Sequence, residues 1–259
     1  MRKNHRSVVV SISMVFCLML PVVLSSGSFP QQPILKAIDE LRTGVNSWDP
    51  EIMKHAKDMF LSLLLQKDPD AAWLHYYIAL SNYRLATYYM GESRMEEAEV
   101  HTMESQKHLD KVIELKPDWG EPFALYASTM GFEIAFDWSK AMSLGIKSGE
   151  YFGIALDLEP YNPRVNLLKG AGDLYTPEEY GGGPDRAIAS LSYAVSLFEK
   201  EKVMDPRTPS WGKEEAYTFL GMAHQQKGDT EKAREFYEKA LEINPDFGLA
   251  KESLQALKK

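Results

Sequence analysis

The chain of 259 residues sets 29 Lys and Arg against 37 Asp and Glu and holds a single cysteine. A net charge of −8 repels phosphate backbones, so no nucleic acid is expected as a partner. One cysteine rules out a disulfide framework, and a chain of this length can bury a core without one.

Residues 1–27 read as a secretory signal. Arg2, Lys3 and Arg6 form a basic head, a mostly apolar uncharged run extends from Ser7 to Leu24, and small residues follow from Ser25 to Ser28. Two other readings stand beside cleavage. A run of roughly 18 residues just spans a bilayer and would serve as an uncleaved anchor. Cys17 would be a lipidation site, although Phe16 stands where such a signal wants a small residue. Cleavage removes three basic residues from 29 and leaves 26 against 37 acids, a net charge of −11, with no thiol for metal ligation or nucleophilic attack. The mature chain, residues 28–259, is then expected to be a single exported domain in the periplasm or at the cell surface. A membrane is involved only through an uncleaved signal.

From there on the apolar spacing is helical and no segment alternates as a strand does, so the fold class is all-α. The spacing predicts helix pairs over Gln32 to Trp48 with Asp49 to Gln66, Ala71 to Met90 with Glu92 to Leu115, and Glu121 to Phe136 with Ser139 to Leu158. Two more follow, Arg164 to Leu174 with Asp185 to Glu201 and Lys213 to Gln226 with Thr230 to Ile243, before a closing helix from Phe247 to Lys258. Asp49 before Pro50 marks a helix start, and Asp118-x-x-Glu121 has the pattern of a capping box. The turn prolines Pro69, Pro117, Pro160, Pro206 and Pro245 recur at intervals of 39 to 48 residues.

The stretch from Leu174 to Ala189, with Gly181-Gly182-Gly183 at its centre, poses the choice between a phosphate-cradling loop and a turn. Such loops follow a strand, and here the preceding residues read as helix, with neither GxGxxG nor a following Lys-Ser or Lys-Thr. A turn accounts for the residues instead. Thr176 caps, Pro177 takes the first helical position, Gly181 adopts the left-handed conformation, and Pro184 opens the next helix.

The last pair carries a specific pattern. Tyr217, Gly221, Ala223, His224, Ala233, Tyr237 and Ala240, closed by Pro245, place small residues where two helices approach and aromatics where gaps need filling. Residues 214–247 resemble a tetratricopeptide repeat. The expected architecture is therefore a tetratricopeptide-like helical-hairpin solenoid of about five pairs. More particularly, three elements resemble those of exported bacterial tetratricopeptide-repeat proteins of uncharacterised function. They are Asn162-Pro163-Arg164, Thr176-Pro177 with Tyr180 to Gly183, and Trp211-Gly212-Lys213-Glu214. The resemblance runs from about Trp73 to the C-terminus and implies fold and export.

No catalytic signature is present. None of the six histidines falls in a metal-binding spacing such as HExxH, and His224 reads as a packing residue. No metal, no cofactor and no enzyme activity are expected. Helix-pair solenoids bind through the groove lined by the first helix of each pair. Aromatics crowd two of those helices, with Thr218, Met222 and Gln225 near the groove in the last. Turns within pairs share one edge of a solenoid, so Tyr89, Trp138, Tyr175 and Tyr180 form a candidate edge site. The expected function is a scaffold for a protein or peptide partner. The alternative is a small-ligand binding or delivery subunit associated with a transport system.

Overall fold

The computed structural model describes residues 33–66 and 71–257. The signal reading, Pro69 and Lys258 lie outside the described residues. Residues Gln32–Lys259 form a compact unit. Eleven α-helices are described: α1 Pro33–Ser47, α2 Pro50–Leu65, α3 Ala71–Gly91, α4 Met95–Leu115, α5 Gly120–Phe136, α6 Ala141–Leu158, α7 Pro163–Tyr175, α8 Pro184–Phe198, α9 Lys213–Gln226, α10 Thr230–Ile243 and α11 Gly248–Ala256. Among the described residues there is no strand.

Each odd-numbered helix pairs with the even one after it, and each pair packs on the next. Successive odd helices touch one another, from α1 through α11, whereas successive even helices do not. A stack in contact on one side and splayed on the other curves toward the contact side. The odd helices therefore line the concave face. The curl is tight enough that Asn244, after α10, donates to the Asn46 side chain at the end of α1, 3.2 Å away.

Local chemistry explains most boundaries. Asp49 Oδ1 accepts the Glu51 N–H at 2.8 Å, with Pro50 in the first helical position, so the cap works as the sequence implies. Asn162 does the same for α7, accepting from Arg164 N at 2.8 Å. Gly221 is required by packing: a Cβ there would meet Tyr237 Cε1 at 2.5 Å and the Ala233 carbonyl at 3.1 Å. Ala233, Tyr237 and Ala240 are fully buried beside it. Pro245 lies two residues beyond the end of α10.

Some expectations fail, each for an identifiable reason. Asp118-x-x-Glu121 is no capping box: α5 starts after Trp119 without a side-chain cap, and Glu121 is drawn into the interior by Arg164 and Tyr76. Thr176 does not cap the following turn but ends α7, its hydroxyl donating to Gly172 O at 2.8 Å. A one-turn 3-10 helix, Glu178–Tyr180, follows, and Gly181 closes it in the left-handed region at φ +83°. Gly182 is excluded from bearing a side chain because its Cβ would lie 2.1 Å from Thr176 O. The glycine run is thus a packed turn. Finally, α8 stops at Phe198, three residues short of the expected end, and 199–212 is an irregular segment.

The concave face as candidate functional site

The early end of α8 shapes the concave face. Residues 199–212 cross it, and the starts of four inner helices hold them there. Tyr77 on α3 donates its hydroxyl to Arg207 O at 2.6 Å. Arg164 on α7 donates to the Glu201 carboxylate and to Trp211 O. Trp211 Nε1 donates to Tyr76 Oη at 3.0 Å, and Tyr76 in turn donates to Glu121 on α5. At the start of α9, Glu215 accepts two bonds from Arg84, at 2.8 and 2.6 Å, across the groove. The Arg84 guanidinium lies 4.7 Å over the Trp211 ring.

This network is buried and closed. Glu121 Oε2 accepts from Arg164 Nε at 3.1 Å and Asn162 Nδ2 at 3.0 Å. Glu159 accepts from Asn162 Nδ2 and from Glu121 N. Burial alone would lower the Arg164 guanidinium, but Glu121 and then Glu201 outweigh it and hold the group charged. Burial, and next the Glu121 charge, push the Tyr76 hydroxyl far up, so it serves as a donor throughout the ordinary pH range. Among the described residues no buried side-chain polar atom lacks a partner.

These contacts give a physical role to two of the three motifs read in the sequence. Asn162-Pro163-Arg164 and Trp211-Gly212 are two halves of one lock, and Glu215, the next residue after the second motif, completes it. Gly212 has φ +105°, and a Cβ would lie 2.7 Å from Leu167 Cδ2. Trp211 packs against the apolar clusters of both the N-terminal and the C-terminal helix pairs, so it joins them. A small cleft of about 350 Å³ remains beside the lock, lined by Trp73, Lys116, Trp119, Glu159, Arg164 and Pro209 among others.

Farther along the same helices the lining is aromatic. Tyr83 on α3 stacks on Phe132 on α5, with centroids 5.1 Å apart and planes at 17°. Tyr175 on α7 meets Phe219 on α9 edge to face at 6.4 Å. Burial pushes the Tyr83 hydroxyl up, against a lowering by the neighbouring Arg84 guanidinium. Tyr175 is 66% exposed, yet the surrounding protein still raises its hydroxyl above the ordinary value.

Of the four residues of the expected edge site, Tyr89 stands apart. Tyr89 is 3% exposed, its ring parallel to His101 at 5.4 Å with the Arg94 guanidinium 4.5 Å above it. It faces the packing side of α3 and is core. Trp138, Tyr175 and Tyr180 are exposed at 67%, 66% and 70%. Tyr175's ring partner is Phe219, and no ring contact joins it to Trp138 or Tyr180. Thr218 does not reach the groove either: it is buried and donates to Glu214 O at 2.8 Å. Gln225 is engaged by Tyr237 Oη at 2.6 Å, and His224 packs on Phe236 as a core residue. Sequence reading missed Phe219 and the Arg84–Glu215 bridge. The signal available for Phe219 was its i+4 register with Glu215 on an inner helix.

Among the described residues no group of three or more His, Cys, Asp or Glu is placed to hold a metal ion. No described helix is long and apolar enough to cross a membrane.

The architecture is that of a tetratricopeptide-repeat solenoid. The family model described as Tetratricopeptide repeat matches residues 214–247, which are α9, α10 and the turn after them. No curated protein matches the chain in sequence. Two of the solved structures that share the fold illustrate it. The HusA haemophore from Porphyromonas gingivalis is similar at a TM-score of 0.65 and 21% identity, over 78% of this chain and 96% of that one. The thermophilic tetratricopeptide-repeat protein TTC0263 of Thermus thermophilus is similar at 0.56 and 18%, over 86% of this chain and all of that one.

Proposed function

We propose that the protein is an exported, non-catalytic scaffold that binds a protein or peptide partner in the periplasm or at the cell surface. The observation that carries this reading is the set of aromatic pairs Tyr83–Phe132 and Tyr175–Phe219, a wall supplied by four successive inner helices, with Tyr175 exposed. The lock of Arg164, Glu121, Trp211 and Arg84 fixes those helices relative to one another. The wall is therefore preformed, which lowers the ordering cost of binding. One exposed ring, Tyr175, beside three partly buried ones suits apolar or aromatic side chains of an extended peptide. Trp138 and Tyr180 are also exposed.

A second reading, binding and delivery of a small ligand, is favoured by one specific observation. The fold overlaps nearly the whole of a haemophore, and the aromatic wall would accept a flat apolar ligand as well as a peptide. Affinity capture with residues 32–259 from the native envelope extract, with mass spectrometry of proteins and small molecules together, separates the two. A stoichiometric protein partner lost in Tyr175→Ala and Phe219→Ala supports the scaffold. A retained small molecule lost in the same variants moves the assignment to ligand delivery.

A further inference from the structure

The outer face of α6 is unlike that of any other helix in the stack. Stepping by four residues from Trp138 gives Met142, Ile146, Glu150, Ile154 and Leu158, and all six are exposed, with Met142 at 79% and Ile146 at 65%. Beside this row runs a second, Gly145, Gly149, Gly153 and Asp157. A Cβ placed on any of the three glycines would meet nothing within 4 Å. Nothing inside the chain needs these glycines, and each weakens the helix relative to alanine. The helix is also poorly covered: it packs on α5 but touches α7 only slightly, whereas the other outer helices pack broadly on the helix that follows.

A row of large side chains beside a row without side chains is a ridge next to a groove. Helices whose four-residue ridges interdigitate cross at about −50°. A surface carrying one ridge and one groove is complementary to itself about a twofold axis, as an isologous interface requires. The charges agree. Lys140 and Lys147 lie in the first half of α6 and its lead-in, Glu150 and Asp157 in the second, disposed evenly about the 148–149 peptide. An antiparallel second copy brings each lysine half against an acidic half. Lys147 is exposed over its own Tyr151 ring at 5.7 Å, and Lys140 approaches Glu133 only to 3.9 Å, so neither is committed to a close carboxylate.

We propose that α6 is a homodimer interface, in which the Met142–Ile146–Ile154 ridge of one copy seats in the Gly145–Gly149–Gly153 groove of another about a twofold near Gly149. This leaves the concave face of each copy free.

The test uses residues 32–259, which pack as a compact unit with their own core and contain no cysteine. Sedimentation velocity over a concentration series is expected to show a reversible monomer–dimer equilibrium. Ile146→Lys, at an exposed position, should give monomer at every concentration with an unchanged circular dichroism spectrum. As the sole cysteine, Gly149→Cys should oxidise to a disulfide-linked dimer, while Gly131→Cys, on exposed α5 surface, should not. Monomer throughout the wild-type series overturns the proposal, and so does a dimer that survives Ile146→Lys. Recruitment of the wild-type monomer to lipid vesicles through this face overturns it as well, in favour of a membrane-facing helix.

Discussion

Replacing Arg164 by methionine tests the lock that organises the concave face. The guanidinium is buried and makes bonds to Glu121 at 3.1 Å, to Glu201, and to Trp211 O at 3.4 Å. Methionine fills much of the same volume, so the cavity contribution is small. What remains is a buried Glu121 with its Tyr76 and Asn162 donors but no countercharge. Removing one partner of a buried ion pair costs about 3–5 kcal/mol. At the 2–4 °C per kcal/mol expected for a domain of this size, the melting temperature should fall by roughly 10 °C. The loss should also have a place. Residues 202–210, which the lock pins to α3, should gain amide exchange and protease sensitivity before the rest of the chain unfolds. Urea denaturation followed by circular dichroism gives the magnitude, and exchange mass spectrometry the location. In Arg164→Met/Glu121→Gln the second change removes the stranded charge, so the double variant should be more stable than the sum of the single losses predicts. A loss under about 1 kcal/mol with unchanged protection of 202–210 would refute this reasoning, because it would mean the network is ornamental to the fold.

Two glycine substitutions should act in opposite directions in thermal unfolding. Gly221→Ala forces a methyl against Tyr237 and Ala233 and should cost about 1–3 kcal/mol, whereas Gly131→Ala, in open space on α5, should gain roughly 0.5–1 kcal/mol. At the aromatic wall, Tyr175→Ala and Phe219→Ala should weaken partner binding at least tenfold, and because Tyr175 is largely exposed its variant should melt within about 2 °C of the parent. A Tyr175→Ala variant with unchanged affinity removes this wall from the function. Stability should also depend on pH through two histidines. Burial depresses both His101 and His108 to about 4, so between pH 6.5 and about 4 the unfolded chain binds more protons than the folded one. Stability is therefore complete above pH 6.5 and is lost as pH falls toward 4. A melting temperature that declines from pH 7 to pH 5, with a shallower decline in His101→Gln/His108→Gln, is the expected result. A flat profile contradicts it.

Much of the architecture is carried by local chemistry and was legible from residue order. Apolar periodicity set the helices nearly residue for residue. Asp49 caps because a short acceptor followed by proline admits few other conformations, and Gly221, Ala233 and Ala240 mark a close helix crossing because no larger residue fits. Local chemistry also identified the glycine run as a turn, since residues 174–184 settle their conformation among themselves. It failed where distant groups compete. Glu121 has the spacing of a capping residue, but a buried arginine 43 positions later offers a stronger partner. Tyr89 and Tyr83 lie on the same helix in similar sequence, and only the placement of α4 and α5 sends one into the core and the other into the groove. The course of 199–212 across the concave face, and the meeting of Arg84 with Glu215, depend on how five pairs curl as a stack. Periodicity within a helix reports which face is apolar, because neighbours one turn apart share that face. It does not report what lies opposite, because that is set by the summed small rotations between pairs, and those exist only once the chain has folded.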